Sequence, residues 1–195
     1  MSGKKRFLWI AALAFCAVLA LSCGGGGGSG GTGGGLVISW SPGSGLPAAG
    51  NVELVRDAAS TPSLLVLDVV VYGPLSDVYG IAFHLSYDES VFVFAGASKT
   101  TILDDVSCSG ACIQFPTPDE TNPDLLIVSM SRTGNVGGVA LPDQPNVFMT
   151  LQFTPVAAGS SGLSFVPGTA KVCDPALPDC VDLSGTWTGG IVLVS

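Results

Sequence analysis

Few side chains in this chain could do chemistry. There is one histidine, His84. Serine-hydrolase chemistry needs a base held beside a nucleophile by an orienting acid, and no GxSxG elbow accompanies His84. The only glutamates are Glu53, Glu89 and Glu120. Paired carboxylates could serve glycoside hydrolysis, but these three fall at turns or strand edges in a chain short for a substrate cleft. The glycine run at 24–35 has no strand before it and no Lys-Ser/Thr after it, so it cradles no phosphate. The chain reads as a non-enzyme with no catalytic residues. Three sets of oxygen donors remain: Asp104-Asp105; Asp119, Glu120, Asn122 and Asp124; and Asp174, Asp179 and Asp182. Hard oxygen ligands suit calcium. None of the sets has EF-hand spacing, and solvated acidic loops are the plainer reading. No metal site is assigned; if a cofactor exists, it is calcium at the 119–124 loop.

The elements that would position such groups follow from composition. The 195 residues carry 15 acids against 7 bases, a net charge of −8. No cationic stripe exists to neutralise phosphates, which excludes nucleic acid as a partner. Hydrophobic residues are 47% and charged ones 11%, with 27 glycines and 13 prolines. The length allows about one domain plus a tail.

Part of the apolarity is N-terminal. Lys4, Lys5 and Arg6 precede the 16-residue apolar run Phe7 to Ser22, and Cys23 follows. The run is shorter than the roughly 20 residues a spanning helix needs. A basic start and a short apolar core read as a secretory signal. Ala20-Leu21-Ser22-Cys23 resembles the lipobox of bacterial lipoproteins, with Ala20 where leucine is usual. The resemblance implies cleavage before Cys23 and lipidation of Cys23. Acyl chains add about 0.8 kcal/mol per buried methylene and hold a protein on a membrane without a spanning helix. Gly24 after the cysteine, by that family's sorting pattern, implies the outer membrane of the bacterial envelope. The alternative is an ordinary signal peptide or an uncleaved anchor. Residues 24–35 hold ten glycines in twelve positions and form a flexible tether. Loss of residues 1–22 leaves 4 bases against 15 acids, a charge of −11. The expected organisation is signal peptide 1–22, lipidated cysteine and linker 23–35, and one domain 36–195.

From Leu36 the chain changes to short runs rich in Val, Ile and Phe, cut by Gly, Pro, Asn and Asp. No run has sustained three-to-four spacing, so no long helix is expected. Strand candidates are Val37–Ser41, Val52–Arg56, Ser63–Tyr72, Val78–Tyr87, Val91–Ala97, Ile113–Phe115, Asp124–Ser131, Val147–Val156, Gly162–Val166, Ala170–Val172 and Gly189–Val194. Alternation sets Ile81, Phe83, Leu85 and Tyr87 against Ala82, His84 and Ser86. It also sets Val147, Met149, Leu151 and Phe153 against Phe148, Thr150, Gln152 and Thr154. The run 64–72 suits a central strand covered on both faces. The predicted class is an all-β sandwich or jelly roll of about nine strands. Cys108, Cys112, Cys173 and Cys180 of an exported domain predict disulfides, with three pairings open. The local pairs 108–112 and 173–180 are favoured, each bracketing a Gly- or Pro-containing loop; zinc is the rival reading. Trp187, between two threonines in a Gly-rich segment, is a candidate exposed platform for sugar. Tyr72, Tyr79 and Tyr87 are expected to pack against or cap the core.

The segment Val78 to Asp88, with its continuation Glu89 to Phe94, resembles the signature strand and turn of the cohesin family. Leu65–Val71 resembles the strand before it. Val147 to Gly159, an apolar strand ending in an Ala-Gly turn, matches a further family pattern, and Gly189 to Val194 fits its closing strand. The similarity covers about residues 50–195. It implies a nine-stranded jelly roll that binds a dockerin-like protein through one flat sheet face. Carried over, Ala82, His84 and Ser86 lie on that face, with Ser129 and Ser131 as weaker candidates. The plainer reading makes them solvated alternates of a half-buried sheet. The expected function is therefore a non-catalytic binding module on a surface lipoprotein. The alternatives are direct polysaccharide binding and a structural envelope protein.

Overall fold

The computed structural model describes residues 36–108, 112–116, 119–175 and 180–195. The signal segment, Cys23 and the glycine tether lie outside the described residues, as does Asp179.

In chain order the strands are β1 (Ile38–Pro42), β2 (Val52–Arg56), β3 (Leu65–Tyr72), β4 (Leu75–Val78), β5 (Gly80–Ser86), β6 (Phe92–Lys99), β7 (Ile113–Gln114) and β8 (Asp119–Asn122). They continue as β9 (Leu125–Arg132), β10 (Val139–Leu141), β11 (Pro145–Pro155), β12 (Gly159–Phe165), β13 (Lys171–Cys173), β14 (Trp187–Thr188) and β15 (Gly190–Val194). One main sheet runs β1-β15-β12-β5-β9-β7, with β13 also on β5 and β8 also on β9. The other runs β14-β2-β3-β11-β6, and β4 and β10 form a small separate ribbon. The protein is an all-β sandwich of two main sheets.

Strand alternation explains why the sheets face each other. Ile81, Phe83 and Leu85 of β5 point inward beside Leu126, Val128 and Met130 of β9. Leu65, Leu67, Val69 and Val71 of β3 meet them from the other layer. Each such side chain, fully buried, contributes about 1.5–3 kcal/mol. Among the described residues the core runs from Ile38 to Val194. Strand β3 lies between β2 and β11, and Val66 and Val70 of its second row are also buried.

Three expectations change. Phe148 does not join the outward row of β11. The pairing with β3 shifts register between Val147 and Met149, so Phe148 and Met149 are both buried. A bulge places two successive side chains on the core side, which strict alternation cannot represent. Residues 119–122, read as a loop, form strand β8 against β9. The long candidate Val78–Tyr87 is shortened to β5, and Leu75–Val78 becomes the separate strand β4.

Candidate functional site

The outward row of β5 is Gly80, Ala82, His84 and Ser86. Antiparallel pairing sets these opposite Ser131, Ser129, Ile127 and Leu125 of β9. Directly opposed residues share a face, so all five candidates from the sequence come together on one strip. Ala82, His84, Ser86, Ser129 and Ser131 are each half-buried. On the far side of β5, Lys171 of β13 pairs with Ala82.

The five are not equally available. The Ser86 hydroxyl donates to the Ser164 carbonyl at 3.1 Å. The backbone of His84 is held by the turn after β12, its N–H donating to Thr169 Oγ1 at 3.1 Å and its carbonyl accepting from the Val166 N–H at 2.9 Å. The His84 ring and the Ser129 and Ser131 hydroxyls have no partner among the described residues. Leu125 and Ile127 were missed in the sequence. The run Leu125 to Val128 is apolar on both rows, so alternation could not tell which members face out.

The surface continues across β12, β15 and β1. Its outward positions are Ser160, Gly162 and Ser164, then Ile191 and Leu193, then Ser39 and Ser41. No Asp or Glu stands on the outward rows of β1, β15, β12, β5 or β9, although the chain carries 15 acids. The result is a broad face of mostly small side chains, with Ile191 and Leu193 exposed on it and with Lys171 of β13 beside Ala82 and Asp119 of β8 beside Ile127 at its borders.

Acids gather instead at one end of the strip. The Tyr87 hydroxyl donates to Glu120 Oε1 at 2.6 Å, and Asp124 Oδ1 accepts the Glu89 N–H at 2.8 Å. Burial, then the bond to Glu120, pushes the Tyr87 hydroxyl far above its ordinary pKa. Asp124 sits at φ 63°, in the left-handed region, as the turn into β9. The donors once read as a calcium loop are thus split among a strand, a tyrosine and a turn. The described residues contain no group of three His, Cys, Asp or Glu side chains able to hold a metal.

The other end of the strip is concave. A cavity of about 540 Å³ opens over Gly80, Ala82, Ser129 and Ser131. One wall is the loop Gly134–Gly137, tied down by the Tyr79 hydroxyl, which donates to the Gly134 carbonyl at 3.0 Å. The opposite wall is Cys173, Asp174, Pro175 and Cys180. The Cys173–Cys180 disulfide closes that loop, with Cα atoms 5.1 Å apart. Cys108 and Cys112 form the second disulfide, at a Cα separation of 5.3 Å.

Beside the second disulfide, Asp105 does not serve as a cation donor. It takes Arg132 Nη1 and Nη2 at 2.9 and 2.8 Å, and Arg132 is fully buried. The Arg132 bonds, then Ser107, hold the Asp105 carboxyl well below the usual range. Trp187 is not an exposed platform. It lies half-buried with its ring 4.9 Å from Phe165 and 5.9 Å from Phe83. Pairing of β14 with β2 turns it toward the core.

No protein-family model matches the chain, and no curated protein matches it. Solved structures do. The sixth cohesin of scaffoldin B from Acetivibrio cellulolyticus, solved in complex with a dockerin, matches 74% of this chain and 97% of its own at TM-score 0.52 and 15% identity. CaCohA2 from Clostridium acetobutylicum matches 80% of this chain and 88% of its own at TM-score 0.52 and 16% identity. The seventh ScaB type I cohesin of Pseudobacteroides cellulosolvens matches 72% and 88% at TM-score 0.51 and 13% identity. The fold is cohesin-like. At these identities the likeness is one of architecture. Within the cohesin-like sandwich, the strip lies on the sheet that carries β12, β5 and β9.

Proposed function

We propose that this protein is a non-catalytic binding module that takes a dockerin-like protein on the outer face of β12, β5 and β9. The observation that carries this reading is that no Asp or Glu stands on the outward rows of β12, β5 and β9. In a chain of net charge −8, these three rows can be covered without desolvating a carboxylate of their own, which would cost several kcal/mol per ion. His84, Ile127, Ser129 and Leu125 supply a flat, mixed contact, and Glu120, Asp124 and Glu89 form an acidic rim that favours a partner basic at that end. One of the matched cohesins was solved with a dockerin, which supports the partner class. The module is carried, in this reading, by a lipid on Cys23 and a glycine tether on the outer surface of a bacterial envelope.

The test is calorimetry of residues 36–195 against a panel of purified dockerin modules, with and without calcium. Micromolar or tighter binding to at least one dockerin, lost in His84→Glu with the melting temperature unchanged, is expected. No binding across the panel, or equal binding by His84→Glu, refutes the partner or the face. Mass spectrometry of the mature N-terminus tests the anchor separately; an unacylated Cys23 refutes it.

A further inference from the structure

We propose that the groove between the loop entering β2 and the turn entering β11 holds an arginine side chain presented by a partner peptide. It opens where β3 ends and β11 begins, in the sheet opposite the strip. Its floor is Tyr72-Gly73-Pro74, and its two walls are residues 47–49 and 143–145. Asn51 pins the first wall, donating from Nδ2 to the Leu46 carbonyl at 2.6 Å and from its N–H to the Ala48 carbonyl at 2.9 Å. Asn146 pins the second, its Nδ2 donating to the Gln144 carbonyl at 2.6 Å and the Pro142 carbonyl at 3.2 Å. Asn146 is 2% exposed, so that clamp lies inside the protein. The Gly50 N–H donates to the Tyr72 carbonyl at 2.8 Å, and the Gly73 N–H donates to the Gln144 carbonyl at 3.1 Å. Both walls are thereby tied to the floor. The groove stands formed before a partner arrives, which limits the ordering cost of binding. Its volume of about 560 Å³ lies within the range of ligand sites, roughly 300–1,000 Å³.

Two features of the lining meet in an arginine. The first is exposed apolar surface. Pro47, Ala48 and Ala49 on one wall, Pro74 on the floor and Pro145 opposite are all exposed. Contiguous apolar surface of this kind marks an interaction site, and it suits the aliphatic stem of a long basic side chain. The second feature is charge. Asp143 lines the groove, is exposed, and its carboxylate has no partner among the described residues. At the floor, Glu53 Oε2 accepts the Tyr72 hydroxyl at 2.7 Å, which sets a second carboxylate beside the tyrosine. The four bases of residues 36–195 are Arg56, Lys99, Arg132 and Lys171, and none lines the groove. The groove therefore attracts a cation. A guanidinium is planar and more weakly hydrated than an ammonium, so it packs on such walls at lower cost, and it meets a carboxylate through two parallel donors. No residue of β12, β5 or β9 takes part, so the groove and the dockerin face stand or fall separately.

The experiment is a titration of the ¹⁵N-labelled protein with the capped peptide acetyl-Ala-Arg-Ala-amide. In the control peptide citrulline, an uncharged isostere, replaces the arginine. Saturable amide shifts at Ala48, Ala49, Tyr72, Gly73 and Gln144 are expected with the arginine peptide and not with the citrulline peptide. Asp143→Asn, whose melting temperature should match the parent's, is expected to bind roughly fivefold more weakly, the loss of one partly exposed charge pair. Diffuse attraction to a molecule of net charge −8 would hardly register the loss of one carboxylate, so that difference reads the groove itself. Equal shifts with the citrulline peptide overturn the proposal without recourse to any variant. Undiminished binding by Asp143→Asn, or shifts that fail to saturate or fall outside the groove, overturn it as well.

Discussion

Trp187→Ala separates a core role from a sugar-platform role for the residue most inviting to read as a ligand contact. A fully buried Trp or Phe cut back to Ala costs about 3–5 kcal/mol. Trp187 is half-buried, which lowers that figure, but it makes ring contacts with both Phe83 and Phe165. Each ring pair is worth about 0.5–1.5 kcal/mol beyond area. Its indole N–H also donates to Ser184 Oγ at 2.9 Å. The expected loss is about 2–4 kcal/mol. With a urea dependence of about 2 kcal/mol per molar, the unfolding midpoint drops by roughly 1–2 M. The melting temperature drops by roughly 5–12 °C. Urea titration followed by far-ultraviolet circular dichroism reads both states without relying on the lost fluorophore. Retention on immobilised polysaccharide, measured on the folded fraction, is expected to be unchanged. A loss below about 0.5 kcal/mol, the range of ordinary surface changes, together with lost retention would refute the argument and restore Trp187 as an exposed platform.

Further predictions concern the floor of the strip and the titrating groups. Gly80→Val is expected to cost about 1–3 kcal/mol, because a Cβ there would sit 2.8 Å from the Met130 carbonyl oxygen and 2.9 Å from Ser131 Cβ; thermal melts and amide exchange in β5 and β9 check it. The Tyr72 hydroxyl is pushed up to about 12, chiefly by its bond to Glu53 and then by burial. Its raised value contributes stability that is full below about pH 10 and lost as pH rises through about 12. Glu53→Gln should move that absorbance midpoint down toward pH 10, and an unmoved midpoint would sink the assignment. Asp105 is held low by Arg132, so its contribution is present above about pH 4 and is lost as pH falls through its folded value. The stability gap between the parent and Asp105→Asn should therefore shrink on acidification below about pH 4, and a gap that widens would contradict the pairing.

The strip was legible in the sequence to the extent that alternation was clean. Ile81, Phe83 and Leu85 against Ala82, His84 and Ser86 made β5 readable, and its partner followed from two serines at the end of β9. Where both rows are apolar, as at Leu125 to Val128, outward members could not be named. Arg132 escaped notice because a charged residue at a strand end normally reaches water. Here it turns inward at full burial and is matched by Asp105, 27 residues earlier.

The sequence by itself determined the class. Short β-branched and aromatic runs punctuated by glycine and proline permit little besides packed antiparallel sheets, since no helical face exists to bury. It also kept acids off the alternating run of β5, although Asp119 and Glu120, read as a loop, fall on β8. Tertiary structure alone decided which alternating rows became one surface. Register sets Ala82 opposite Ser129, and a slip of one residue would have turned every one of those side chains into the core. It alone decided that Trp187 packs, that Phe148 bulges inward, and that residues as distant in sequence as Gly134 and Cys173 border one cavity over the strip. These are long-range pairings, fixed by which partner each segment meets and not by anything within the segment.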